Sequence, residues 1–252
     1  MNLSKLFENE RFFTATVLGI VVLVVALIDN FYLTWAFLGA VYIIAFLEAQ
    51  KLFGIEDKRL VVYAIAIWLS ASIFSNSSDL FVLAGVIYAS ILAYKRDVEW
   101  KNFLPFIYPT AGMLFILTLY QNYGIFSLVW LFVIVALTDI GAYAVGKSIG
   151  KTPFSQTSPN KTLEGVVGGL VVATVGGMFM GLTLVDIDQS FIVAFLVSVS
   201  AVFGDLYESY LKRKAGVKDS GNILPGHGGM LDRIDGYLFA SIVMLVFLRG
   251  LV

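Results

Sequence analysis

Long uninterrupted apolar runs set the terms for what this chain can fold into. From Phe103 to Val145 the only charged residue is Asp139. Runs of that kind recur along all 252 residues, of which 59% are hydrophobic and 14% charged, with a mean hydropathy of +0.86. A soluble domain carries about a quarter charged residues, so this chain lacks the side chains to cover a water-facing surface. It reads as an integral membrane protein. The runs are continuous rather than alternating, which points to helices and not to a barrel. The absence of cysteine excludes disulfides, thiolate chemistry and cysteine zinc sites. A single histidine excludes a multi-histidine metal site. No cleavable signal peptide is expected, because Met1–Arg11 is polar and the first apolar run ends without a small-residue cleavage site.

About nine runs are candidates for crossing some 30 Å of hydrocarbon: 12–29, 31–49, 60–76, 79–94, 103–120, 124–146, 165–184, 190–209 and 236–252. Lysine and arginine orient them, since basic residues accumulate in cytoplasmic loops. With these spans, Lys5 and Arg11, then Lys51, Lys58 and Arg59, then Lys95, Arg96 and Lys101 fall on one side. So do Lys147, Lys151 and Lys161, and Lys212, Arg213, Lys214, Lys218 and Arg233, which leaves only Arg249 near the other. The opposite loops carry Asp29, Asp79, Asp186 and Asp188. The expected fold is an all-α polytopic helix bundle in the cell (inner) membrane, N-terminus cytoplasmic and C-terminus external. A single integral membrane domain, 1–252, is expected, with a five-helix part at 1–120 and a part at 121–252 that carries the elaborate cytoplasmic loops.

The segment 209–235, SYLKRKAGVKDSGNILPGHGGMLDRID, is densely polar inside this apolar chain. Before it, Asp205, Glu208 and Lys212 share one helix face at i, i+3 and i+7. A carboxylate about a turn inside the membrane boundary is costly unless it faces a cavity, a cation or a partner, so Asp205 is a functional candidate; simple pairing with Lys212 is the alternative. Lys212, Arg213, Lys214 and Lys218 form a cationic cluster suited to phosphates. Gly221, Gly226, Gly228 and Gly229 permit close approach of backbone amides to an anion. Asp219, Asp232 and Asp235 are hard oxygen donors suited to Mg²⁺. Together these imply a metal–nucleotide site. His227 suits phosphate contact or loop ordering better than proton abstraction, because a phosphate nucleophile is already ionised near neutral pH.

In the other long loop, Lys161 and Thr162 precede a helix whose N-terminal amides and dipole favour an anion. Glu164 suits the first turn of the same helix. Gly165, Gly169, Gly177 and Gly181 have the spacing of close helix packing. Asp139 is a second intramembrane carboxylate, read as lining the same cavity as Asp205 or pairing with a neighbouring helix.

At these residues the sequence resembles the phosphatidate cytidylyltransferases, also called CDP-diacylglycerol synthases. The family pattern is met by Ser209, Leu211, Lys212, Arg213, Lys218, Asp219, Gly221, Pro225, His227, Gly228, Gly229, Asp232, Arg233 and Asp235 without departure. The segment SPNKTLEG resembles the family's other loop. The resemblance implies that CTP and phosphatidate give CDP-diacylglycerol and pyrophosphate, with Mg²⁺ held by Asp205, Asp232 and Asp235 and a monovalent cation left open. It implies Lys212, His227 and the three metal carboxylates as catalytic. Lys161, Thr162, Arg213, Lys218, Asp219, Gly228, Gly229 and Arg233 then bind substrate. CTP, phosphatidate and the bilayer are the expected partners; nucleic acid is not, and a homodimer is left open. Two rival readings stand beside it: a related CTP-dependent enzyme acting on a polyprenol or another lipid, and an ion-coupled transporter using Asp139 and Asp205. A transporter predicts paired broken helices in two repeats, which the sequence does not display.

Overall fold

The computed structural model describes residues 3–95 and 97–251, with side chains from residue 13 onward. Lys5, Arg11 and Arg96 of the charge map therefore lie outside the described side chains. The described chain is helical: α1 (Leu3–Ile28), α2 (Phe31–Leu52), α3 (Arg59–Ala71), α4 (Asp79–Tyr94), α5 (Ala111–Ile149), α6 (Leu163–Gly181), α7 (Ile187–Lys214) and α8 (Leu231–Leu251). A 3-10 turn at Trp100–Phe103 and a π turn at Phe106–Thr110 lead into α5. Among the described residues there is no strand, only the isolated bridges Pro153–Thr162 and Leu224–Gly228.

Local chemistry explains several boundaries. The Asn30 side chain accepts the Leu33 amide at 3.1 Å and caps α2. Asp57 accepts the Arg59 amide at 2.9 Å ahead of α3. The Arg59 guanidinium, forked on the same carboxylate, holds it below the usual carboxylate range. The last turn of α7 carries Lys212, Arg213 and Lys214, where the helix dipole favours cations.

Helix α5 is not one rod. Gly124 adopts φ 70° and ψ −172°, a left-handed conformation that glycine tolerates, and the chain turns back there. Before the break, the Gly112 carbonyl accepts Ser241 Oγ of α8 at 3.1 Å. At the break, Asn122 reaches Asn76, which Arg249 at the far end of α8 also contacts. Beyond it, Val135 lies against Gly236, back near the start of α8. Ser127 Oγ stitches the turn by donating to the Leu119 and Gly124 carbonyls, at 3.0 and 2.7 Å.

The nine candidate runs thus resolve differently. Among the described residues five helical stretches are long and apolar enough to cross a membrane, one of them the Trp100–Ile149 stretch that spans the fifth and sixth candidates. Phe13–Ile28, Arg59–Ala71 and Asp79–Tyr94 are shorter apolar helices. At 1.5 Å per residue, the 13-residue α3 falls well short of about 30 Å.

The glycines of α6 form a contact stripe. Gly165 and Gly169 lie on the Ala142 and Thr138 carbonyls of α5, and Gly177 and Gly181 on Ile134 and Trp130. Without side chains the two helices approach backbone to backbone. The core behind them contains Trp130, Ile134, Val193, Val197, Leu238 and Met244, all fully buried. The outer surface is apolar as well: Leu27, Val62, Val82 and Phe179 are each more than half exposed. Water would penalise such a surface and hydrocarbon would not, so the chain is a membrane protein.

Candidate active site

The last three turns of α7 and the start of α8 meet at one end of the bundle. Gly204 makes the meeting possible, because a Cβ there would stand 2.6 Å from the Asp235 carbonyl oxygen. Asp205, Glu208 and Lys212 of α7 are thereby brought against Asp232 and Asp235 of α8. Lys212 Nζ lies 2.5 Å from Glu208 Oε2 and 2.6 Å from Asp232 Oδ1. Glu208 is fully buried, and the side chains of Asp232 and Lys212 are 5% and 15% exposed. One ammonium is therefore shared by two carboxyl groups where little water can help.

Lys161, from the loop between α5 and α6, forms an ion pair with Asp205. Asp139 of α5 is within electrostatic reach of Asp205, Lys161 and Arg233. Asp235 is within reach of Asp205, Asp139 and Lys212. Five carboxylates thus face three cations in one region. Glu208 Oε1 is buried without a hydrogen-bond partner. A cluster of carboxyl oxygen donors is the chemistry that suits a hard divalent cation. Among the described residues no three of these groups stand together at metal-ligand spacing, and Lys212 sits between Glu208 and Asp232.

The loop before α8 is folded onto the Asp232 carboxylate. Asp232 Oδ2 accepts the Ser220 amide at 2.9 Å, the Ser220 hydroxyl at 3.0 Å and the Gly229 amide at 2.7 Å. With Lys212 on Oδ1, both oxygens are engaged. Gly228 has φ +83°, and a Cβ there would stand 2.8 Å from Asp232 Oδ2, so two separate reasons require glycine. The His227 amide donates to the Leu224 carbonyl at 2.9 Å, closing the turn. His227 Nδ1 is buried without a hydrogen-bond partner.

Thr162 caps α6 by accepting the Gly165 amide at 3.2 Å. Glu164 turns back to accept the Lys151 and Thr152 amides and the Thr152 hydroxyl, closing the 150–164 loop. The structure therefore brings together Lys161, Asp205, Lys212, Asp232 and Asp235, with Gly228 and Gly229 beneath them. Arg213, Lys218, Asp219 and Arg233 are exposed at the rim.

Two residues escape a reading of the sequence. Glu48, in α2, is 5% exposed and accepts the Met230 amide at 3.0 Å, the Leu231 amide at 2.7 Å and Ser220 Oγ at 3.1 Å. Its one sequence signal is a carboxylate inside an apolar run. Tyr108, at the non-helical residue of the π turn, is buried with an unpartnered hydroxyl and lies within reach of Asp235 and Glu208. It carries no signal at all in so aromatic a chain.

The chain matches known proteins along almost its whole length. The sequence profile described as the cytidylyltransferase family covers residues 9–251. A phosphatidate cytidylyltransferase of Helicobacter pylori is 42% identical over 250 residues, 96% of this chain and 93% of its own. One of Bacillus subtilis is 34% identical over 215 residues, 82% of this chain and 72% of its own. One of Thermotoga maritima is 31% identical over 241 residues, 85% and 89% of the respective chains. With the charged cluster of α7 and α8 inside the matched region, the chain belongs to the cytidylyltransferase family.

Proposed function

We propose that this protein transfers CMP from CTP to phosphatidate, giving CDP-diacylglycerol and pyrophosphate, at the cytoplasmic face of the inner membrane. The observation that carries the reading is the ion-pair cluster of Lys161, Asp205, Glu208, Lys212 and Asp232 at the end of an apolar bundle. Both substrates are anions, one dissolved in water and one in lipid, so their reaction needs cations at that boundary. A phosphatidate oxygen attacks the α-phosphorus of CTP in line, and the bond to pyrophosphate breaks. Lys161 and Lys212, each already beside a carboxylate, would turn towards the phosphates and offset the repulsion between substrates. Arg213, Lys218 and Arg233 at the rim would draw CTP from solution.

Carboxyl oxygens suit Mg²⁺, which would be held by Asp205 and Asp235, with Asp232 joining once its loop contacts loosen. Bound there, the metal would neutralise charge on the attacking and leaving oxygens. Asp139, facing Asp205, adds to the field that attracts the cation. His227 would order the turn or donate to a phosphate.

Ends alternate along the chain even through the short α3, which supports about nine passes of unequal length, with a cytoplasmic N-terminus and an external C-terminus. Thr14 touches Pro225 at the loop end, and Tyr120 touches Asp29 at the other. The turn at Gly124 divides the Trp100–Ile149 stretch into two passes. Purified protein given CTP, Mg²⁺ and phosphatidate is expected to release pyrophosphate and form CDP-diacylglycerol, and Asp232→Asn to abolish both. Folded protein that stays silent with phosphatidate but turns over CTP with another lipid would overturn the choice of acceptor.

A further inference from the structure

From its place beneath the loop, we infer that Glu48 is a positioning residue: its carboxylate is the anion that caps α8 and sets the position of Lys212. A helix N-terminus leaves amides unpaired and favours a negative charge. In this protein that charge comes from inside, not from a ligand. Glu48 takes the Met230 and Leu231 amides, and Asp232 takes those of Ser220 and Gly229. Four amides at the start of α8 and in its loop are thus taken by protein carboxylates, which shifts phosphate recognition towards side chains, Lys212 first among them.

The link from Glu48 to Lys212 is continuous. Ser220 Oγ lies 3.1 Å from Glu48 Oε2 and 3.0 Å from Asp232 Oδ2, and Asp232 Oδ1 lies 2.6 Å from Lys212 Nζ. Ser220 is buried, and the space above Glu48 is closed by Gly221 and Gly229. A Cβ on Gly221 would stand 2.3 Å from Glu48 Oε1, and one on Gly229 would stand 2.6 Å from Glu48 Oε2. The loop backbone therefore packs directly on the Glu48 carboxylate. Helix α2, far away in sequence, therefore sets the geometry of α7 and α8.

All three partners of Glu48 are donors, and this decides the test. Glutamine has the same shape but turns an amide group towards at least one of them; aspartate is smaller but keeps two acceptor oxygens. If Glu48 positions by charge and hydrogen bonding, Glu48→Asp is the milder change. If it only fills space, Glu48→Gln is. In full-length protein in detergent, Glu48→Gln is expected to lower kcat about 10–100-fold, as loss of an orienting partner does, with KM for CTP within about threefold. Glu48→Asp should retain several-fold more activity than Glu48→Gln. Ser220→Ala should show part of the same loss, and adding Glu48→Gln to it should cost less than the product of the single effects.

Hydrogen exchange of the peptide covering residues 219–231 supplies a readout independent of turnover: it should speed up in Glu48→Gln while peptides of α5 and α6 stay unchanged. The kinetic arm rests on the function proposed above. If wild-type protein makes no CDP-diacylglycerol, that function fails while the exchange comparison still decides the role of Glu48. Normal exchange and normal kcat in Glu48→Gln overturn the inference, as does better tolerance of Gln than of Asp. Should Glu48→Gln not fold, wild-type kcat and exchange in Ser220→Ala overturn it too.

Discussion

At the scale of single residues, the site is governed by charge that cannot reach water. Lys212 holds two carboxylates, one of them fully buried. Breaking a buried pair by removing one partner typically costs about 3–5 kcal/mol, because the other charge is left behind. Lys212→Ala is expected to lower kcat for CDP-diacylglycerol formation by about 100-fold or more and also to lower the melting temperature in detergent. An exposed lysine would show neither effect. Gly228→Ala is expected to cost about 1–2 kcal/mol from its left-handed backbone, and activity should fall with stability because the new methyl meets Asp232. Thermal unfolding and turnover measured on one preparation check both. Lys212 and Asp232 are legible in sequence because they sit within one polar stretch, and Asp205 because it shares a helix face with Lys212 just before it. Glu48 is not, because its partners lie more than 170 residues away and nothing local announces them.

At the scale of helices, packing rather than propensity places the elements. The α6 glycines are legible as a contact stripe from their spacing, and the structure shows why: Gly169 stands on the Thr138 carbonyl, where a Cβ would come within 2.5 Å. Gly169→Leu is expected to destabilise the protein by about 1–3 kcal/mol, the usual range for overpacking. Gly250→Ala meets nothing within 4 Å and is expected to change stability by no more than about 0.5 kcal/mol. A melting-temperature series in detergent separates the two. The gap between the fifth and sixth apolar runs is visible in sequence near residues 121–123. Only the structure shows the helix turning back on a single glycine there instead of passing through a loop.

At the scale of the whole molecule, the two ends differ in kind. One end gathers Glu48, Lys161, Lys212 and Asp232; the other closes on Asn76, Asn122 and Arg249. The chain has no cysteine, so single cysteines report topology without background. In sealed vesicles of defined orientation, Gln156→Cys is expected to react with an impermeant maleimide only from the cytoplasmic side, and Ser75→Cys only from the external side. Labelling of both from one side would overturn the proposed topology.

That this is a helical membrane protein with a charged, glycine-rich loop follows from the linear chain alone. Hydropathy, the sequence positions of its few charges and the order of the loop residues are properties of the linear chain. Which charges meet is a property of the packed helices. Their packing set Lys161 against Asp205, made Lys212 the shared partner of Glu208 and Asp232, and capped α8 with Glu48. Those pairings depend on how closely helices approach and which faces they present, and glycines such as Gly204 and Gly169 set that approach across long stretches of chain.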